Sequence, residues 1–208
     1  MKLGRAAAAV HNLLVIEGWL ALAGAPGLVL LVLLDRGAGN LPLVAACALP
    51  AGPALSAAVY ALDRRSRDHL DLQPGRDFRR GYRLNAGPVL KLWAPFLAWE
   101  AVLGFNLANG GGWWGVPLMA AAALWQVNAL LIASRYEFRT RDVARLAAYF
   151  LIRTPRVTLG TAALGIVAAA VVLLWSEAVL ALVAVLFAAA LWHNAGPLRA
   201  EIEARFVR

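Results

Sequence analysis

Apolar runs about as long as a bilayer is thick recur along this chain, and the segments between them alternate from almost uncharged to dense in arginine. A membrane-spanning helix needs about 20 mostly apolar residues. Runs of that kind stand at residues 12–34, 41–62, 88–107, 113–134, 158–174 and 177–192. The last two are short, which a helix accommodates by standing upright or by thinning the bilayer around it. Of the 208 residues, 62% are hydrophobic and 15% charged, whereas soluble domains carry roughly 25% charged residues. A water-soluble core of this size could not cover so much apolar surface. The expected fold is an all-α integral membrane protein: one domain over 1–208, with about six transmembrane helices in three hairpins. Short amphipathic helices are expected in two cytoplasmic loops, 63–87 and 135–157.

The basic residues then set an orientation. Eighteen of the twenty lysines and arginines, all but Arg36 and Lys91, fall on the N-terminus, on the two long loops or on the C-terminus. Loops rich in arginine stay cytoplasmic, so both termini and both long loops are expected there. Trp113, Trp114 and Trp175 fall at the opposite interface and Trp192 at the inner one, where aromatic belts form. The net charge of +8 is thereby explained by topology, and no nucleic-acid partner is needed. Lys2, Arg5 and the small residues near Ala23 imitate a signal peptide, but the apolar stretch is too long and Glu17 interrupts it, so it reads as an uncleaved span. The single cysteine, Cys47, lies inside an apolar run and reads as a small hydrophobe.

Proline and glycine punctuate the runs. Gly24-Ala25-Pro26-Gly27 is expected to interrupt the first span, and Pro50 and Pro53 the second; membranes tolerate such breaks where neighbours satisfy the freed backbone groups. Each long loop carries Arg-Asp, an amphipathic stretch and then a proline. Asp77 and Asp142 suit helix starts, while Pro88 and Pro155 would mark the return to the membrane. Phe78 and Tyr82 share one helical face in the first loop, as do Val143, Leu146, Ala147 and Phe150 in the second. Thr161, Gly165 and Ala169, with Ala184 and Ala188, are small residues at a spacing that lets two helices pack closely.

Chemistry-bearing motifs are sparse. No phosphate-binding Gly-x-x-x-x-Gly-Lys-Ser/Thr loop occurs, no Cys/His cluster has zinc spacing, and no nucleophile elbow surrounds a serine. The sequence therefore points to a non-enzymatic protein without metal or cofactor. The best binding candidates are polar groups within spans: Glu17, Glu100, Gln126 and Asn128, which would line a polar cavity if their helices meet. The bland reading is that they only hydrogen-bond between helices. Partner-contacting candidates are Phe78, Arg79, Arg80, Tyr82 and Arg83 in the first loop, with Arg145 and Phe150 in the second.

Three pieces, in this order and spacing, carry a resemblance. They are Leu49-Pro50-Ala51-Gly52-Pro53-Ala54-Leu55-Ser56-Ala57-Ala58-Val59-Tyr60; Asp77-Phe78-Arg79-Arg80-Gly81-Tyr82-Arg83-Leu84-Asn85; and Arg135-Tyr136-Glu137-Phe138 leading into Leu151-Ile152-Arg153-Thr154-Pro155-Arg156. With them the chain resembles the YesL-like family of bacterial membrane proteins, whose members have no established reaction and tend to accompany carbohydrate ABC importers. The resemblance implies a protein of the bacterial plasma (inner) membrane, an accessory subunit or assembly factor of an oligosaccharide importer, with the permease and ATPase as partners besides the lipid bilayer. The alternative is a small stand-alone transporter or channel using the intramembrane carboxylates.

Overall fold

The structure, a computed structural model, describes residues 2–35, 37–67 and 73–206, apart from the side chains of 2–6, 66 and 67. Readings that rest on Arg36, His69 and Arg208, or on the side chains of Lys2, Arg5 and Arg67, lie outside what is described. Every regular element among the described residues is helical. Five helical stretches are long and apolar enough to cross a membrane: Ala7–Leu33, Ala38–Arg65, Pro74–Ala108, Gly115–Ala133 and Pro155–Leu174. The chain is thus an all-α, multi-pass membrane protein.

Helix α1 (Lys2–Leu33) runs unbroken through Pro26. The expected interruption there does not occur. Instead Gly27 is where α1 meets its neighbour, because a Cβ at that position would lie 1.9 Å from the Cys47 carbonyl oxygen. The second crossing does break, at Pro50, into α2 (Leu41–Cys47) and α3 (Ala51–Arg67), whereas Pro53 lies within the first turn of α3. At the break the Ala48 carbonyl accepts from Ala51 N at 3.1 Å and also from Trp93 Nε1 at 2.9 Å. Gly52 leaves room for that indole, since a Cβ there would come within 2.5 Å of the Trp93 ring.

Helix α4 (Pro74–Ala108) corrects the reading of the first loop. It is one helix of 35 residues with Pro88 and Pro95 inside it, so Pro88 does not mark a return to the membrane. At about 1.5 Å per residue it is some 50 Å long and projects beyond a bilayer core of about 30 Å. A turn closed by Gly110 and Gly112, both at positive φ, leads to α5 (Gly115–Ala133). Helix α6 (Thr140–Arg153) buries Val143, Ala147 and Phe150 as its periodicity requires, and Pro155 then opens α7 (Pro155–Leu174) as expected. The stretch at 177–192 is two helices, α8 (Glu177–Leu182) and α9 (Ala184–Asn194), separated at Val183. Close approach between α7 and α9 occurs at Gly160, against Asn194, and not at Gly165, which faces open space. Helix α10 (Gly196–Phe206) ends the described chain.

The start of α1, the end of α3 and α10 share one end of the bundle. Arg65 donates to the carbonyl of Ala9 at 3.4 Å, and Arg199 of α10 donates to Asp63 of α3 at 3.4 Å. The arginines of α4 and α6 lie in the polar stretches beyond the apolar segments, so this is the basic end. The core lies towards it. One cluster joins Val89 and Leu92 of α4 to Ile132 of α5, Phe150 of α6 and Ile202 of α10. A second joins Ile16 of α1 to Ala57 of α3, Phe78 of α4 and Val185 of α9.

Candidate functional site

The basic end is built around Asp63, at the last turns of α3 and buried. A lone buried carboxylate is costly unless charged donors surround it, and here they come from far along the chain. Arg135, just past the end of α5, pairs with Asp63 through Nη1 and with Glu203 of α10 through Nη2. Arg199 and the Trp192 indole, the latter at 3.3 Å, donate to the same Asp63 oxygen. Arg199 also donates to the Trp192 carbonyl at 3.1 Å and lies 4.1 Å above that indole ring. Two arginines and two carboxylates thus tie α3, α5, α9 and α10 together with no net charge. Burial pushes the Arg199 guanidinium below its ordinary pKa, aided by neighbouring Arg135, and pushes the Tyr136 phenol above its own. Beside this cluster the Ser134 and Ser56 hydroxyls hydrogen-bond at 2.9 Å, and Asn85 of α4 donates to the Ser134 carbonyl at 3.1 Å. None of Asp63, Arg135, Arg199 or Glu203 stood among the candidates from sequence; a carboxylate one residue past an apolar run was the signal available.

On this platform lie the loop candidates, and they divide. Phe78 is 2% exposed and Phe150 fully buried. Both belong to the chain's own core, which corrects the expectation that they present rings to a partner. Phe78 stacks between Trp19 and Tyr82, each with its centroid 6.4 Å away. Tyr82 is half-buried and keeps a face to the outside. Arg79, Arg80, Arg83 and Arg145 are exposed, and among the described residues they form no ion pair with a carboxylate. Arg79 lies 5.4 Å over the Trp19 ring. Arg64, by contrast, pairs with Asp77 in the first turn of α4 at 3.4 Å.

The intramembrane candidates are not brought together. Glu17 faces the break between α8 and α9, and its carboxylate accepts from Val185 N at 2.6 Å. The first N–H groups of a helix lack partners within it, and Val183 has no polar side chain to serve them, so Glu17 caps α9 from another helix. Gln126 and Asn128 are both 1% exposed. Asn128 reaches the Ala147 carbonyl of α6 at 3.5 Å, whereas neither amide atom of Gln126 has a protein partner. Two residues apart on a helix is about 200°, so these side chains point to nearly opposite sides. Glu100 lies on α4 with one carboxylate oxygen buried and unpartnered. Neither cavity described here is lined by any of the four. One is an apolar groove of about 590 Å³ between α2 and α4, walled by Pro42, Ala45, Ala98 and Phe105 among others; the second opens at the basic end.

Among the described residues no three His, Cys, Asp or Glu side chains are grouped so as to hold a metal. In comparison with known proteins, no family model, no curated protein and no solved structure matches this chain.

Proposed function

We propose that this chain is a non-enzymatic accessory subunit or assembly factor of a membrane importer, docking its basic end against cytoplasmic parts of the permease and ATPase. The observation that carries the reading is the set of exposed guanidinium groups, Arg79, Arg80 and Arg83 of α4 with Arg145 of α6, on a platform made rigid by the Asp63 cluster. A guanidinium free of carboxylates is available for bidentate pairing with a partner's acidic groups. That the partners are the permease and ATPase of an importer, and that the cargo is an oligosaccharide, rests on the resemblance to the YesL-like family alone. The rival, a stand-alone transporter working through intramembrane carboxylates, has less support, because Glu17 is engaged in capping α9 and neither it nor Glu100 lines the groove between α2 and α4 or the cavity at the basic end.

The topology belongs to the same proposal. Five long crossings would leave α10 at the opposite end from the start of α1, yet both lie beside the end of α3. This supports a sixth crossing made by α8 and α9 in series, whose 18 residues would reach roughly 27 Å at about 1.5 Å each. Arginine-rich segments stay cytoplasmic, so the basic end and both termini are placed in the cytoplasm of a bacterial cell.

The test is co-purification with the permease and ATPase in mild detergent. Arg79, Arg80 and Arg83 changed together to Lys keep the charge but lose the planar fork, and recovery of the partners should fall severalfold at matched expression. Tyr82→Ala should act in the same direction. Undiminished recovery with both variants would remove this face as the docking surface.

A further inference from the structure

A cavity of about 520 Å³ opens at the basic end between α3, α4 and the segment that joins α5 to α6. Its walls are of two kinds. Leu84, Pro88 and Leu92 of α4 make an apolar side; Arg135 also reaches the wall but is paired with Asp63 and Glu203, which leaves Arg80 of α4 and Glu137 of the joining segment as the opposite charges free to meet a ligand. Both charged residues are exposed, and among the described residues they pair neither with each other nor with any other charged group. Two opposite charges that line one cavity without meeting are placed to be bridged by a ligand carrying both. The depth of the cavity narrows the choice. Glu137 follows closely on the last residue of the apolar α5, and Arg80 precedes Pro88, where the apolar part of α4 begins. The cavity therefore lies where lipid head groups meet hydrocarbon.

We infer that this cavity holds the head group of a zwitterionic phospholipid of the phosphatidylethanolamine kind. The phosphate lies on the Arg80 fork, the primary ammonium on the Glu137 carboxylate, and the acyl chains start along Leu84 and Pro88. Phosphatidylglycerol would place its phosphate on Arg80 as well, but its uncharged glycerol would leave the Glu137 carboxylate without a cation. A soluble phosphate ester would leave the apolar wall facing water.

Native mass spectrometry of the detergent-purified full chain, offered equal amounts of phosphatidylethanolamine and phosphatidylglycerol, tests this. Wild type should retain phosphatidylethanolamine about tenfold better, the order expected for one charge-assisted hydrogen bond. Glu137→Gln should abolish that preference and admit phosphatidylglycerol. Arg80→Gln should weaken retention of both, and Arg76→Gln, an exposed arginine outside the cavity, should change neither. All three sites are exposed, and melting profiles will verify that the variants keep their fold. Equal retention of the two lipids by wild type, or an unchanged preference in Glu137→Gln, would overturn the inference. Displacement of the lipid by an equal concentration of soluble phosphoethanolamine would overturn it too, by assigning the cavity to a free metabolite. Arg79 and Arg83 do not line the cavity, so repeating the docking test with these two alone changed to Lys lets the two proposals fail separately.

Discussion

The two ends of the bundle are held together differently. Towards the basic end lie nearly all the buried side chains and the buried ion pairs around Asp63. In the third of each crossing farthest from that end Leu103 is the one buried hydrophobic residue among those described, and on α7 Leu173 is 85% exposed. The difference follows from the solvent. Lipid tails solvate a leucine as well as another helix does, so apolar faces gain little by burying one another within the bilayer. At the basic end water competes, and there apolar burial and desolvated charge pairs both give a specific arrangement. The lesson is that this protein is ordered from one end and dissolved in lipid at the other.

Five substitutions would break or sharpen that contrast, each read as a change in melting or in chemical denaturation in a fixed detergent. Asp63→Ala should be the most damaging, at about 3–5 kcal/mol, since it leaves Arg135 and Arg199 partly buried without their shared counter-ion. Ser134→Ala strands the fully buried Ser56 hydroxyl, and about 1–3 kcal/mol is expected for such a group. Midway along the bundle, Glu17→Ala should remove the cap on α9 at about 0.5–2 kcal/mol, whereas Glu17→Gln, whose amide oxygen still accepts from Val185 N, should be nearly silent. At the far end Leu173→Ala should stay within about 0.5 kcal/mol. A Leu173→Ala loss as large as that of Asp63→Ala would erase the distinction between the ends.

What was legible in the sequence was local. Runs of apolar residues and the placement of arginines located the crossings, because hydrophobic length and charge are properties of short windows. Asp77 and Asp142 fell in first helical turns as their positions implied. The prolines divided. Pro155 begins a helix and Pro50 lies in a break, yet Pro26, Pro88 and Pro95 lie inside helices. The same residue type ends or continues a helix according to whether neighbours satisfy the freed groups, and those neighbours are tertiary. The likeness between the two long loops dissolves for this reason: one runs straight into its crossing, the other is a separate helix. The buried cluster was illegible because its pairs are 72 and 136 residues apart. The aromatic candidates failed from the same cause, since a ring on the apolar face of an amphipathic helix packs on its own core when one is present, as Phe78 and Phe150 do.

Every functional reading of the basic end requires that it face the cytoplasm and that the chain return to it after α9. Cysteine labelling tests both at once. With Cys47 replaced by Ala, single cysteines go at Ala108, the last residue of α4 at the far end, and at Ala204 on α10; both positions are exposed helical sites. An impermeant maleimide should label the first in intact cells and the second only after permeabilisation. Labelling of Ala204→Cys in intact cells would contradict this. If Ala108→Cys were also labelled, α8 and α9 would not cross the membrane; if it were protected, the whole protein would be inverted.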